Sequence, residues 1–420
     1  MRFIHAADIH LDTSFSSRSD TVRSRLRDAS RVALERMVDL ALVERVDAVL
    51  LAGDLFDDGR LSFQTERFLL EQLHRLEQVE IPVVYATGNH DPGLKGARGG
   101  GGGSGRAGLP WPENVTVAGS SEPVRLTIEN SAGEAVGIVT AAGHETAAET
   151  ADLSKNFPTP EGRLPEVAVL HTQVMGPLGA SEHALYAPSD LEELRGAGYD
   201  YWALGHVHKR SCLCEHPGIH YPGNTQGRTH GERGAKGCLL VTLSSGAPAE
   251  VEFKELAPIR WEDLEVHNPT DAATLDGLVR TVAARWDEVA GGVGVTGWIA
   301  RISISGATPL WRELGREDDQ EHLRDELAHR LGLLHVTLRI GGVHPEIEVG
   351  EHTEREDVLG QALRLVAALR AGDAALPALP IEQLIGLDNQ DRLAEYVRGL
   401  LHEGEEEILS RMLKTVVDQR

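Results

Sequence analysis

Cysteine is scarce: Cys212, Cys214 and Cys238 are the only three in 420 residues. The chain opens Met-Arg-Phe-Ile-His, with a charge and a histidine where a secretion signal needs an apolar run. An odd cysteine count behind such an opening excludes a disulfide framework, so reduced thiols and a cytoplasmic location are expected. The Cys-x-Cys pair alone does not make a structural zinc site, because two further ligands at matching spacing are missing. Lysine is scarce as well, six residues against 35 arginines, and 65 acidic residues bring the net charge to −24. That excess excludes broad, non-specific attraction to polyanions, so a phosphate-rich ligand must be met by local charge. No apolar run approaches the roughly 20 residues that cross a bilayer, which excludes a membrane-spanning helix. No Gly-x-x-x-x-Gly-Lys-Ser/Thr loop occurs, so ATPase activity would have to come from another chain.

What is present is ordinary for a globular protein, 41% hydrophobic and 25% charged residues, in a chain longer than a single core usually supports. Residues 2–8 read as an apolar strand ending in Asp8, and 22–44 carry apolar positions at a helical period. A strand over 47–53, a helix over 62–78 and a strand over 81–88 follow, then strands near 124–128, 135–140, 166–170, 199–204, 218–221 and 237–243. Strands alternating with helices predict an α/β layered sheet, closing near residue 260, with functional residues at the carboxyl ends of strands. Residues 261–348 switch to strand, helix, strand, helix, strand and are expected to form a small α+β capping domain. Residues 349–420 read as a helical tail. There Ile408/Leu409, Met412/Leu413 and Val416/Val417 repeat every four residues and make a stripe that must be buried, within the chain or against a partner. Residues 96–108 have the composition of a flexible linker.

Five short segments carry the chemistry: Asp8-Ile-His10, Gly53-Asp54-Leu-Phe-Asp57, Gly88-Asn89-His90-Asp91, His171 and Gly205-His206-Val-His208. Each follows a predicted strand, and each offers oxygen or imidazole ligands. Asp8 and His10 alternate along the chain, as do His206 and His208, so an extended backbone points each pair one way. A dinuclear site needs a carboxylate shared by both ions, and Asp54 at the end of a buried strand is the candidate. The set divides into Asp8, His10, Asp54 and His208 for one ion, and Asp54, Asn89, His171 and His206 for the other. Imidazole, carboxylate and amide without thiolate favour two divalent ions of the manganese, iron or zinc kind. His90, next to a ligand Asn, is placed to protonate a leaving alkoxide, while Asp57 and Asp91 are read as carboxylates that orient the ligands.

These segments resemble the calcineurin-like metallophosphoesterase superfamily. Residues 1–12, Asp200-Tyr-Trp-Ala-Leu-Gly-His-Val-His208 and Tyr221-Pro-Gly223 are similar to the SbcD-type DNA repair exonuclease subunits and their YhaO-like branch. The resemblance covers about residues 1–260 at the level of motifs. It implies a layered metallophosphoesterase β-sandwich flanked by helices, a Mn²⁺-dependent exonuclease and endonuclease, an SMC-like ATPase partner, a homodimer, and His90 as general acid. Asp57 falls where some relatives carry a second catalytic histidine.

Residues 209–236 hold Lys209, Arg210, Arg228, Arg233 and Lys236 against Glu215 and Glu232, a local +3, and Lys95, Arg98 and Arg106 follow Asn89. Both basic segments flank the ligand motifs and are candidate DNA contacts. Two other functions suit the same residues, a phosphodiesterase or phosphatase for nucleotides and small esters and a non-catalytic DNA-binding scaffold.

Overall fold

A computed structural model of the chain describes residues 1–57, 61–93, 109–175, 186–291, 294–346 and 353–373. Two units are distinguished, Met1–Glu262 with Gly294–Ile299, and Asp263–Val293 with Ala300–Arg420. In the first unit the elements run β1 (Arg2–Ala6), α1 (Asp20–Glu44), β2 (Ala48–Ala52), α2 (Phe63–Glu77), β3 (Val83–Ala86), β4 (Val115–Ala118), β5 (Val124–Glu129), β6 (Ala135–Ala142) and β7 (Glu166–His171). They continue through a short β8 (Val174–Met175), β9 (Ser189–Asp190), α3 (Leu191–Gly196), β10 (Tyr201–Gly205), β11 (Ser211–Cys214), β12 (Gly218–Tyr221), β13 (Gly237–Thr242) and β14 (Glu250–Glu255).

Two six-stranded sheets result, ordered β14-β13-β1-β2-β3-β4 and β11-β12-β10-β7-β6-β5. Each has a parallel run, β1 to β4 in one and β12-β10-β7-β6 in the other; antiparallel β13 and β14 extend the first at one side, and antiparallel β11 and β5 flank the second. The period of two sorts the side chains. Ile4, Val49, Leu51, Val83 and Tyr85 face Ala33, Leu34, Met37, Leu69 and Leu73 of the helices α1 and α2. Their neighbours Phe3, Leu50 and Val84 face Val139, Val169, Tyr201 and Ala203 of the other sheet. Leu170, Trp202, Leu204 and Ile219 cover that sheet's far side together with Leu153 and Leu194. Strands buried on both faces explain the uninterrupted apolar runs, each fully buried aliphatic side chain contributing about 1.5–3 kcal/mol. The unit is an α/β sandwich with helices on its outer faces, the architecture expected.

The helices begin where small hydroxyl residues can cap them. Ser62 accepts from the Thr65 amide at 3.2 Å, and Ser19 does the same for Val22, so α1 starts two residues earlier than its apolar period suggests. The strands β4, β11 and β14 have no counterpart in the sequence-based reading. The last reads Glu-Val-Glu-Phe-Lys-Glu, and its charged residues suit a sheet edge rather than a buried centre.

A three-stranded sheet follows, β15 (Ile259–His267), β16 (Gly297–Ala307) and β17 (His335–His344) in that order, the first two strands beginning in the first unit and continuing into the second, which also holds α4 (Leu275–Ala290), α5 (Glu317–Arg330) and a later helix α6 (Val358–Ala371). Val282 and Trp286 of α4, and Leu323 and Leu327 of α5, are buried. Among the described residues no helix is long and apolar enough to cross a membrane. The apolar stripe ending at Val417, and most of the tail expected to be helical, lie outside the described residues.

Candidate metal centre

The carboxyl ends of β1, β2, β3, β7 and β10 converge on one place. Strand β1 stops at Ala6, and the next segment is not extended: Asp8 has φ 52° and His10 φ 48°. Asp54 and His206 also lie at positive φ, 51° and 102°. Simple alternation therefore does not aim these side chains, contrary to the sequence-based expectation. Left-handed turns aim them instead, at roughly 1–2 kcal/mol each for an L-residue, in residue types that tolerate that region comparatively well. Hydrogen bonds between the two turns hold the conformation, Asp8 N–H to the Gly53 carbonyl at 3.1 Å and His10 N–H to the Asp54 carbonyl at 2.9 Å. Gly53, at φ 89°, lies so close to His171 that a Cβ would stand 2.2 Å from Nδ1. At Gly88 a Cβ would stand 2.3 Å from Asp54 Oδ1. Both positions need the missing side chain.

All seven residues read as ligands come together. His10 Nε2 lies 3.3 Å from His208 Nε2 and 3.6 Å from Asp54 Oδ2, and His208 Nε2 lies 3.5 Å from Asp8 Oδ1. On the other side Asp54 Oδ2 is 3.5 Å from His171 Nε2, and Asn89 Oδ1 is 3.0 Å from His171 Nε2 and 3.1 Å from His206 Nδ1. Ligand atoms about 2.0–2.2 Å from one ion sit at such mutual separations. The histidine tautomers decide whether a cation fits. His10 Nδ1 donates to Asp57 Oδ1 at 2.9 Å, His208 Nδ1 to Glu232 Oε1 at 2.8 Å, and His171 Nδ1 to the Ala52 carbonyl at 2.9 Å. Those oxygens only accept, so in the neutral rings the lone pairs are on Nε2 and point inward at one another and at Asn89 Oδ1. Converging lone pairs repel unless a cation lies between them, so the donor set fits divalent metal.

The family model for calcineurin-like phosphoesterases matches residues 1–210. The chain belongs to that family. YhaO of Bacillus subtilis, an uncharacterised metallophosphoesterase, is 32% identical over 316 residues, 74% of this chain and 73% of that protein. The DNA double-strand break repair protein Mre11 of Methanopyrus kandleri is 28% identical over 284 residues, 61% of this chain and 57% of that protein. The SbcD component of the SbcCD nuclease of Escherichia coli is 33% identical over 92 residues, 22% of this chain and 21% of that protein. The chain is thus a metal-dependent phosphoesterase by family and by the chemistry of its donors.

Electrostatics in this phosphoesterase follow from burial and pairing. Burial disfavours charge on Asp8, but His208, His171 and His10 outweigh it and hold the carboxyl well below its usual range. Burial lifts Asp54 to about 6 against the pull of His171, with Asp91 and Asp8 adding to the rise. His206 falls to about 3 through burial and the neighbouring His171. His208 rises to about 9, since Asp8 and Glu232 overcome its burial. Without metal, a proton on His208 takes the place of the cation.

His90 stands at the rim, its side chain 42% exposed and its Nδ1 3.5 Å from Asp57 Oδ1. Asp91 is fully buried and accepts from the amides of Leu55 at 2.7 Å, Phe56 at 3.2 Å and Gly88 at 2.6 Å, and from the Tyr85 hydroxyl. It ties the Asp54 turn to the Asn89 turn. Among the basic residues Lys209, Arg210 and Arg233 are exposed, with the Arg210 guanidinium 3.9 Å from the centre of the Phe253 ring. Lys236 departs from the surface role expected of it: it is 8% exposed, and its ammonium donates to the His208 carbonyl at 2.9 Å. Arg228 turns into the site, its guanidinium 3.2 Å from His208 Nδ1. Lys95, Arg98 and Arg106 lie outside the described residues.

Sequence reasoning missed Glu232, counted only as a charge, and His144, whose Nε2 donates to the His171 carbonyl at 2.7 Å. A lone acid in a basic loop was the available signal for the first. The second had none.

Proposed function

We propose that this phosphoesterase is a two-metal phosphodiesterase acting on DNA, the Mn²⁺-dependent exonuclease and endonuclease subunit of a repair complex with an SMC-like ATPase. The observation that carries the reading is Asp54 Oδ2, 3.6 Å from His10 Nε2 and 3.5 Å from His171 Nε2, which joins two ligand sets in one nest. When bound, a pair of divalent ions supplies Lewis acidity to the phosphoryl group and activates water as the nucleophile. Asp8, His10, Asp54 and His208 would hold one ion, and Asp54, Asn89, His171 and His206 the other. His90, half-exposed at the rim beside Asp57, donates a proton to the departing alkoxide, and an open rim suits a polymer that extends past the site. The relatives support the substrate: one is named for double-strand break repair, another as a subunit of a nuclease. The ATPase partner and a homodimer come over from the same resemblance.

The test is hydrolysis of end-labelled linear DNA and of bis(p-nitrophenyl) phosphate by the purified chain with Mn²⁺, alongside His90→Ala. DNA cleavage by wild type, its loss in the variant and retained metal in both support the reading. Rapid turnover of the small diester with no DNA cleavage, even with the cognate ATPase supplied, would replace it with a small-ester phosphodiesterase.

A further inference from the structure

Arg228, between β12 and β13, is a part-buried cation with donors to spare. Its Nη1 donates to Asp57 Oδ1 at 3.0 Å, and its side chain is 15% exposed. Its Nη2 lies 3.2 Å from His208 Nδ1, but that nitrogen already donates to Glu232 at 2.8 Å, so two donors face each other there. The other contact of Nη2, to Glu232 Oε1, is 3.5 Å long, and Nε is buried with no partner among the described residues. A guanidinium held this way has borne its desolvation without filling its fork. It is also beside the nest, since the Asp57 oxygen it holds accepts from His10 Nδ1 at 2.9 Å and lies 3.5 Å from His90 Nδ1.

Charge counting gives this placement a purpose. Asp8, Asp54, Asp57, Asp91 and Glu232 place five carboxylates around the nest, Asp91 accepting from backbone amides and Tyr85. Two divalent ions would offset four of those five charges and leave no surplus of positive charge to meet a phosphate. Of the two cations Arg228 and Lys236 beside the ligands, Lys236 is occupied by the His208 carbonyl, and Arg228 has the planar geometry that pairs with two oxygens of a phosphate.

We propose that Arg228 is a catalytic residue that grips the non-bridging oxygens of the phosphate being cleaved, with Asp57 and Glu232 holding its guanidinium at the rim until substrate arrives. The proposal rests on the phosphodiesterase reading of the nest and deepens it: the group recognised is the reacting phosphate itself.

The experiment measures inorganic phosphate binding to the Mn²⁺-loaded chain by calorimetry, metal content, and kcat and KM for bis(p-nitrophenyl) phosphate, for wild type, Arg228→Met and Arg228→Lys. Loss of charge-assisted hydrogen bonds weakens phosphate binding about 10- to 100-fold in Arg228→Met, with metal content unchanged and kcat/KM falling in step. Arg228→Lys, a point charge without the fork, lies between. Unchanged phosphate affinity and kcat/KM in Arg228→Met overturn the proposal. So does loss of metal from both variants, which would make Arg228 a support for His208. If wild type leaves DNA intact while phosphate and the small diester still depend on Arg228, the DNA reading falls and this proposal stands. If Arg228→Met cleaves DNA as wild type does and binds phosphate normally, the DNA reading survives alone.

Discussion

Replacing Glu232 separates two ways in which a carboxylate can support a histidine ligand. Its Oε1 accepts from His208 Nδ1 at 2.8 Å, and its Oε2 accepts from Asn224 Nδ2 at 2.8 Å and from the Arg228 amide at 2.7 Å. In Glu232→Ala the imidazole loses its support but keeps a free choice of tautomer. In Glu232→Gln the amide oxygen is drawn to the side where two donors wait, and the amide NH₂ then faces His208. Nδ1 must accept, its proton moves to Nε2, and Nε2 is the atom that should offer a lone pair to metal. The Arg228 Nη2 group, 3.2 Å from Nδ1, reinforces the same wrong tautomer. Loss of such an outer partner weakens metal binding about 10- to 100-fold, which is about 1.4–2.7 kcal/mol. The near-isosteric glutamine is therefore expected to bind Mn²⁺ no better than alanine, and worse if the amide is as ordered as the carboxylate. Competition with a chromogenic chelator measures both affinities, and circular dichroism checks that both variants fold. Wild-type affinity in Glu232→Gln would refute the tautomer argument.

Other outcomes follow from the same geometry. His208, lifted to about 9 from the usual 6.5, gives the metal-free fold a stabilisation that is complete below pH 6.5 and is lost as pH rises through about 9. The melting temperature of the metal-free chain should fall across that window, and His208→Gln should remove the fall. Because proton and cation compete for the same ring, Mn²⁺ affinity should rise about tenfold per pH unit over the window, as titration calorimetry would show. Gly53→Ala places a methyl 2.2 Å from His171 Nδ1, so it should displace that ligand and reduce bound metal, read by elemental analysis of the folded fraction. Asp91→Ala strips the acceptor from three amides and the Tyr85 hydroxyl. Leaving a buried donor unpaired costs about 1–3 kcal/mol, and the loss over this network is measurable as a shift in the urea midpoint.

Much of the sandwich was legible because burial leaves a mark on composition. β2 is Ala-Val-Leu-Leu-Ala and β10 Tyr-Trp-Ala-Leu-Gly, both buried throughout, and α1 repeats buried positions from Val22 to Ala41 at the helical period. Edge strands leave a weaker mark. The glutamates and lysine of β14 are individually compatible with a loop, and only pairing with β13 makes a strand of them. β4, Val-Thr-Val-Ala, is four residues long and gains its place from parallel pairing with β3, which no local pattern announces.

In the nest, residue types were legible and backbone conformation was not. The left-handed φ of Asp8 and His10 is maintained by the carbonyls of Gly53 and Asp54, more than forty positions away, and no local pattern encodes that. The basic segment 209–236 shows the same separation between composition and pairing. Its formal charge treats every residue alike, yet Lys236 is committed to a carbonyl beneath His208 and Arg228 to Asp57, while Glu232 faces inward to an imidazole. Lys209, Arg210 and Arg233 are exposed, and the charges that reach the ligands are those of Arg228 and Lys236. In an acidic chain, therefore, pairing decides where positive charge stands, beside the nest or on the face around it, where a sum over the sequence cannot.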